Sequence, residues 1–304
     1  MEASRVIWVD GAFVPWDEAT VHVLSHGLHY GTGVFEGIRA YETPSGTAVF
    51  RLTDHMERLH RSAKAYGIPL RYGVDALAKV SRQLLAENEL ESGYLRPLAF
   101  YGLGSMGLNP AGAEVRVMVA AWRWGAYLGE DGLENGIRTH VSSWRRIDQG
   151  MLNPNAKGTG GYLNSILAKQ EAVKNHYDEA ILLNYAGLVS EGSGENIFIV
   201  NNGVVTTPPV TAGILEGITR DSVMTLLKDE GRRVREANIT RSDLYYADEI
   251  FFTGTAAEVT PVREVDDRPV GNGRPGPVTR TAQDLFHQAV TGRLAAYGHW
   301  LDYV

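Results

Sequence analysis

Trp122-Arg123-Trp124-Gly125-Ala126-Tyr127-Leu128-Gly129-Glu130-Asp131-Gly132-Leu133-Glu134-Asn135-Gly136 is the stretch on which the fold turns. It is rich in glycine, tryptophan and acidic residues and keeps neither a strand nor a helix period, so 123–136 reads as a connection between domains. A small N-terminal domain at 1–122 and a larger C-terminal one at 137–304 follow. Just before the connection, Glu114 to Trp122 alternates Val115, Val117 and Val119, which predicts a strand. Further back, Asp75 to Glu89 predicts a helix. Thr53 to Tyr66 predicts another, with Asp54 and Glu57 as a capping pair and Met56, Leu59, Ala63 and Tyr66 at helical spacing. Val6 to Trp16 reads as a hairpin turning at Asp10-Gly11. Beyond the connection, helices are predicted at Leu163–Asn175 and Thr219–Asp229. Strands are predicted near Glu179–Leu183, Ile197–Val200 and Glu249–Thr253, with a turn at Asn202-Gly203. Strands and helices without regular βαβ alternation define an α+β (mixed α/β) class. No internal repeat or low-complexity tract is evident.

The 304 residues, 44% of them hydrophobic, are enough for a large core without covalent staples. The absence of cysteine excludes disulfides, thiolate metal sites and cysteine nucleophiles together. A net charge of −7, from 29 Lys plus Arg against 36 Asp plus Glu, supplies no broad basic field for a nucleic-acid backbone. Met1 to Asp10 has no basic segment followed by an apolar run, and no stretch approaches the roughly 20 apolar residues of a membrane helix. A soluble, cytoplasmic protein that binds neither membrane nor nucleic acid is expected.

Five constellations are candidates for chemistry. Gly102, Gly104 and Gly107 match the dinucleotide-binding glycine pattern after the apolar run Leu98 to Tyr101, but Asn109-Pro110 follows. Proline there blocks the helix whose N-terminus would hold a pyrophosphate, so the segment reads as a loop. His22, His26 and His29 would share a helix face and in principle a metal. Gly27 and Tyr30-Gly31 argue against a helix, so packed or hydrogen-bonded histidines, with no metal, are expected. Lys157, in Asn155-Ala156-Lys157-Gly158-Thr159-Gly160-Gly161-Tyr162, is followed by glycines and a threonine and then by the predicted helix. A lone lysine is usually a solvated surface group. Here the permissive backbone suits close approach to a bound ring, and a partly desolvated lysine becomes a neutral amine able to form a Schiff base.

Ser190-Glu191-Gly192-Ser193-Gly194-Glu195-Asn196 frames two acids with glycines. Its bland reading is a hairpin connection with solvated acids. Its functional one is a carboxylate that keeps a pyridine nitrogen protonated and the ring an electron sink. Finally, Arg58, Gly217-Ile218-Thr219 at a helix start and Gly254-Thr255-Ala256-Ala257 after a strand are anion-binding features, able together to hold a phosphate and a carboxylate.

Taken in order, Tyr30-Gly31-Thr32-Gly33-Val34-Phe35-Glu36-Gly37-Ile38-Arg39, His55-Met56-Glu57-Arg58-Leu59-His60, Tyr94-Leu95-Arg96-Pro97, the Lys157 loop, Ser190 to Asn196 and Gly254 to Glu258 cover nearly the whole chain. In this set the chain resembles the bacterial branched-chain-amino-acid aminotransferases. These are class IV, fold-type IV pyridoxal-phosphate enzymes with a small N-terminal and a larger C-terminal domain and the cofactor between them. The resemblance implies that Lys157 forms the Schiff base with pyridoxal 5'-phosphate, Glu191 pairs with its pyridine nitrogen, and Tyr162 lies near its phenolic oxygen. It implies a phosphate cup of Arg58, Ile218, Thr219 and Thr255. Tyr94 with the amides of Thr255 and Ala256 would take the substrate α-carboxylate, and Arg96, Tyr30 and Tyr127 the distal carboxylate of glutamate.

Phe35, Tyr30, Trp124, Tyr127 and Tyr162 would supply apolar ring faces for an aliphatic side chain, with Arg39 also counted among the substrate-binding residues. Tyr30 and the loop around Leu108 would serve the neighbouring subunit's pocket, which implies a homodimer or a hexamer of three dimers. Gly161 departs from the pattern, since relatives commonly carry Asn before the loop tyrosine. Altered loop rigidity with unaltered chemistry is expected.

The implied reaction moves the amino group of L-leucine, L-isoleucine or L-valine to 2-oxoglutarate, giving the oxo acid and L-glutamate by ping-pong kinetics, with the freed Lys157 as general base and then acid. A D-amino-acid aminotransferase and an aminodeoxychorismate lyase share the lysine and the pyridine carboxylate. The Tyr94-Leu95-Arg96 and Gly254-Thr255-Ala256-Ala257 segments favour the L-branched-chain reading. A nicotinamide oxidoreductase using the Gly102–Gly107 loop lacks the helix it requires, and a non-catalytic binding protein leaves the lysine, acid and anion sites unexplained.

Overall fold

The computed structural model describes residues 2–104, 106–125 and 128–304. The strands in chain order are β1 (Val6–Val9), β2 (Ala12–Pro15), β3 (Gly33–Phe35), β4 (Ile38–Thr43), β5 (Gly46–Phe50), β6 (Gly93–Tyr101), β7 (Val115–Trp122), β8 (Ile137–Arg145) and β9 (Glu179–Leu183). They continue with β10 (Val189–Gly192), β11 (Asn196–Asn201), β12 (Val204–Thr207), β13 (Arg233–Glu236), β14 (Glu249–Gly254), β15 (Glu258–Val265), β16 (Arg268–Pro269) and β17 (Leu301–Tyr303). The α-helices are α1 (His26–Tyr30), α2 (Leu52–Ala65), α3 (Val74–Glu87), α4 (Glu130–Asn135), α5 (Tyr162–Lys174), α6 (Ile218–Asp229), α7 (Arg241–Tyr246) and α8 (Pro277–Val290).

These elements fall into two packing units, and each has its own sheet. The first unit joins Met1–Trp124, Ala156–Gly161 and Ala289–Val304; the second joins Gly125–Asn155 and Tyr162–Gln288. A contiguous division, 1–122 and 137–304 about a connection at 123–136, is therefore not what the backbone adopts. Strand β17 gives one reason: it pairs antiparallel with β5, Leu301 opposite Phe50, and so carries the chain's last residues into the first sheet. Within the expected connection, residues 130–135 form α4.

The first unit's sheet runs β17-β5-β4-β6-β7-β1-β2, with β3 also on β6, and its strand pairings are antiparallel. Helices α2 and α3 place Leu52, Met56, Leu59, Leu77, Leu84 and Leu85 in one core with Val34, Ile38, Leu95, Val117 and Val119. Each fully buried leucine contributes roughly 1.5–3 kcal/mol, so this helix pair holds the loops at the sheet edge firmly. Helix α2 starts otherwise than its sequence suggests. Its N-cap is Arg51 in a left-handed conformation with no side-chain cap, and Asp54 accepts from Arg51 Nε at 2.8 Å; the Asp54–Glu57 capping pair does not form.

The second unit's sheet runs β10-β9-β8-β15-β14-β11-β12-β13, with β16 on β15, and mixes parallel pairs (β8 with β9 and β15, β12 with β13) with antiparallel ones. Its core gathers Ile137, Val141, Ile181, Val189, Ile197, Ile199, Ile250, Phe252 and Val262. Helix α5 lies on β9 through Ala168, Ala172, Ala180 and Leu182. Helix α8 is initiated by Pro277 at its first position and by Glu249, whose carboxylate accepts from the backbone N–H of Val278 and Thr279. No helix among the described residues is long and apolar enough to cross a membrane.

Candidate active site

Lys157 is held by its neighbours on both sides of its own peptide. Its backbone N–H donates to Ser62 Oγ at 3.0 Å, and its carbonyl accepts from Phe35 N at 3.1 Å. Gly158 bridges Val34 antiparallel, Gly160 N–H donates to the Gly31 carbonyl, and Thr159 Oγ1 donates to the same carbonyl at 2.7 Å. The glycines here serve close packing against the protein itself. A Cβ on Gly158 would lie 2.7 Å from the Tyr66 ring, and one on Gly31 would lie 2.6 Å from Gly160 Cα. Lys157 is half-buried, with Nζ 5.1 Å from the Phe35 ring centroid. The lysine is thus partly withdrawn from water against an aromatic face.

Beside it in the same unit lies a buried ionic cluster. Glu36 accepts a two-pronged pair of hydrogen bonds from Arg58, Nε to Oε1 at 2.7 Å and Nη2 to Oε2 at 2.8 Å, and a third from His55 Nδ1 at 2.8 Å. All three side chains are buried. Burial pushes the Glu36 carboxyl up, but the Arg58 charge and the Arg58 and His55 hydrogen bonds outweigh it and hold the group well below the usual carboxylate range. His55 is pushed below its ordinary value by burial, against the pull of Glu36 and with repulsion from Arg58 and Lys157.

Arg96 occupies an aromatic box. Its guanidinium carbon lies 5.0, 5.4 and 5.9 Å from the centroids of Phe35, Tyr94 and Trp122, and the Trp124 ring packs, tilted, against Tyr94 with centroids 4.6 Å apart. Its buried Nε has no hydrogen-bond partner. The box therefore presents a cation without a carboxylate among the described residues, set in ring faces that also suit an aliphatic chain. Gly37 makes room for it, since a Cβ there would meet the Tyr94 hydroxyl at 1.9 Å. Arg39 reaches the Trp124 carbonyl and lies over Tyr41, at the margin of this group. Tyr30 and Leu108 stand apart from the box: the Tyr30 hydroxyl donates to the Met106 carbonyl at 2.8 Å, and Leu108 is 84% exposed. Tyr127 lies outside the described residues.

The second unit carries the remaining candidates. Glu191, on β10 where the register with β9 shifts, is buried. It accepts from Asn196 Nδ2 and Leu215 N, both at 3.0 Å, while Arg146 pairs with Oε1 at 2.7 Å. Ile218 and Thr219 open α6 behind Gly217, an N-cap without a side-chain cap. The leading N–H groups of this helix are thus not satisfied by a cap and favour an anion. Gly217 is fixed by Asn196, whose Oδ1 would sit 1.9 Å from a Cβ there. Thr255 and Ala256 are half-buried in the turn joining β14 to β15, and Tyr162 is the first residue of α5. Ser190 Oγ and Thr253 Oγ1, next in chain to Glu191 and Gly254, are buried with no hydrogen-bond partner.

The pattern of the amino-transferase class IV family matches residues 33–265. The branched-chain-amino-acid aminotransferase of Pseudomonas aeruginosa is 51% identical over 299 residues, 98% of this chain and 97% of its own. That of Escherichia coli strain K12 is 49% identical over the same shares. A crystal structure of the E. coli branched-chain amino acid aminotransferase superposes with a TM-score of 0.96 at 49% identity, covering 98% of this chain and 99% of that one. A T.th. branched-chain amino acid aminotransferase with pyridoxamine 5'-phosphate superposes with a TM-score of 0.96 at 48% identity, covering 100% and 99%. This chain belongs to the class IV aminotransferases.

In this aminotransferase several residues that shape the candidate site carried no role in the sequence. Glu36 and His55 sit inside quoted motifs; an acid in the apolar run Gly33–Ile38 was the available signal. Arg146 had none, since nothing local links it to Glu191. The three histidines proved unrelated to one another, and α1 forms one short helical turn where a helix was not expected. His22 Nδ1 accepts from Leu24 N, His29 Nε2 meets the Val23 carbonyl, and His26 is buried with partners of its own. The Gly102–Gly107 segment leads through a loop into β7, with no helix after it.

Proposed function

We propose that this aminotransferase uses pyridoxal 5'-phosphate to exchange the amino group of L-leucine, L-isoleucine or L-valine with 2-oxoglutarate, working as a homo-oligomer in the cytoplasm. The observation that carries the reading is the half-identity, over nearly the whole chain, to relatives named branched-chain-amino-acid aminotransferases. The residues present fit the cofactor. A half-buried lysine, a buried carboxylate held by three donors, an arginine fixed by a buried glutamate and a helix start without a side-chain cap are the complements of an aldehyde, a pyridinium and a phosphate.

When bound, pyridoxal phosphate supplies an aldehyde for amines and a ring that takes up the electron pair freed at the substrate α-carbon. Lys157 anchors it through Nζ. Lys157 Nζ, when free as the amine, would be the base that takes the proton from the substrate Cα and the acid that gives it back. Glu191 would hold a positive charge on the ring nitrogen, and Tyr162 would lie toward the phenolic oxygen. Arg58, Ile218, Thr219 and Thr255 hold the phosphate. Tyr94 with the amides of Thr255 and Ala256 orients the α-carboxylate. Arg96 receives the distal carboxylate of glutamate, while Phe35, Trp124, Tyr30 and Leu108 take the aliphatic side chain, the last two serving the pocket of a neighbouring subunit.

Two measurements test this. The absorption band of the purified yellow protein should disappear with L-leucine and return with 2-oxoglutarate, and D-alanine should leave it unchanged. Lys157→Ala should lower turnover by at least about a thousandfold while the protein still binds the cofactor. A Lys157→Ala variant with near-normal turnover would remove the lysine from its role.

A further inference from the structure

We infer that His26 is a positioning residue for the substrate pocket: it clamps the Met106–Leu108 loop and so sets side-chain selectivity. The inference rests on the reading above that Tyr30 and Leu108 line that pocket. His26 is 1% exposed and touches the loop at both ends. Its backbone N–H donates to the Gly102 carbonyl at 2.9 Å, and its ring Nε2 lies 2.9 Å from the Gly107 carbonyl. A carbonyl only accepts, so Nε2 carries the proton. Nδ1, 2.7 Å from Thr32 Oγ1, is then the acceptor of that hydroxyl. The Gly107 carbonyl therefore fixes the tautomer, and the Thr32 hydroxyl donates to the ring's other nitrogen and holds its orientation. The imidazole also packs on the Tyr30 ring at 4.6 Å, and Tyr30 donates to the carbonyl of Met106. Two packed rings thus engage successive carbonyls, and the next residue, Leu108, projects into the open.

The base of the loop is fixed separately, by Gly102 N–H on the Glu114 carbonyl and by Glu114 N–H on that of Leu103. Loosening His26 should therefore free the tip while leaving β6 and β7 paired. Both ring nitrogens are thus engaged, Nε2–H by a backbone carbonyl and Nδ1 by a hydroxyl, which separates this role from proton transfer to a substrate.

The test compares holoenzyme variants by hydrogen exchange of peptides covering the loop and by steady-state kinetics with L-leucine and L-glutamate. His26→Leu should accelerate exchange at Met106–Leu108 and raise KM for leucine, each by about tenfold, the equivalent of one lost hydrogen bond. KM for glutamate and kcat should change far less. His26→Gln, which keeps an N–H donor, should restore most of both effects. Thr32→Val, which leaves the ring in place but removes the hydroxyl that orients it through Nδ1, should show a weaker version and serves if His26→Leu fails to fold.

Exchange at wild-type rates in His26→Leu, or in Thr32→Val alone if that is the folded variant, overturns the clamp. Faster exchange with an unchanged leucine KM, while Leu108→Ala raises it, overturns the link to selectivity. If Leu108→Ala leaves leucine KM untouched, the pocket reading falls and the selectivity claim with it, and exchange still decides the clamp.

Discussion

Glu36 in the first unit and Glu195 in the second are both buried carboxyls, and their protonation runs in opposite directions. Burial disfavours the charge on each. Glu36 is met by a guanidinium fork and an imidazole N–H, and stays ionised far into acid. Glu195 is met by one backbone N–H, that of Gly194 at 3.1 Å. Burial first, then the nearby charge of Glu179, push it up to about 8, with Glu191 adding to the repulsion and Lys169 only partly relieving it. The cations of its neighbourhood are committed elsewhere: Lys169 pairs with Glu179 at 2.7 Å and Arg146 with Glu191 at 2.7 Å. Three buried acids share two cations, and the third keeps a proton. The contrast shows that the supply of donors decides the charge of a buried carboxyl, burial being common to both.

The strongest way to break the comparison is to remove the carboxylate from the well-supplied site. Glu36→Gln leaves the Arg58 guanidinium buried beside an amide that can also donate, and should cost about 3–5 kcal/mol in urea unfolding at neutral pH. The depressed folded pKa means that the Glu36 contribution is present above the ordinary carboxylate value near 4.5 and is lost as pH falls toward the folded value. The two proteins should therefore converge in acid. A Glu36→Gln variant as stable as the wild type at pH 7 would show that the fork does not set the charge.

The opposite change, at the poorly supplied site, should be milder and of the other sign. Glu195 has a raised folded pKa, so its contribution is complete below about 4.5 and is lost as pH rises through about 8. Wild-type stability should fall relative to Glu195→Gln by about 1.4 kcal/mol per pH unit through most of that interval, the slope easing near 8, or about 2 kcal/mol from pH 6 to 8. Chemical unfolding at several pH values reads this directly. Parallel stability curves for the two proteins would place the proton elsewhere among Glu179, Glu191 and Glu195.

Much of the arrangement around these acids was legible in the sequence because it is local. Helical spacing located α2, α3, α5 and α6 within a few residues, and valine alternation located β7. The lysine loop, the Ser190–Asn196 loop and the α6 start are each contiguous, so a single reading frame contains them. What escaped depends on pairing across sequence distance. Glu36 acquires its meaning from Arg58, 22 residues on, and Glu191 from Arg146, outside its own strand. Strand β17 joins β5 from the far end of the chain, and no composition shift marks that return. Helix α8 carries its signal locally too: Pro277 opens it, and Val278, Ala282, Phe286 and Ala289 recur along one buried stripe.

The finest test of the contrast is His55, whose Nδ1–H is the third donor to Glu36. His55→Leu removes a hydrogen bond to a charged group and should cost about 1.5 kcal/mol at pH 7.5, with His55→Asn, which keeps a donor near the Nδ1 position, recovering most of it. The pH dependence then tells which species the ring is. Burial holds the imidazole below its ordinary value, so its contribution is present above about 6.5 and lost as pH falls through the folded value. The gap between wild type and His55→Leu should accordingly narrow on acidification below pH 6.5. A gap that widens instead would mean that the ring gains a proton and pairs with Glu36 as a cation, giving that carboxylate two cations where Glu195 has none.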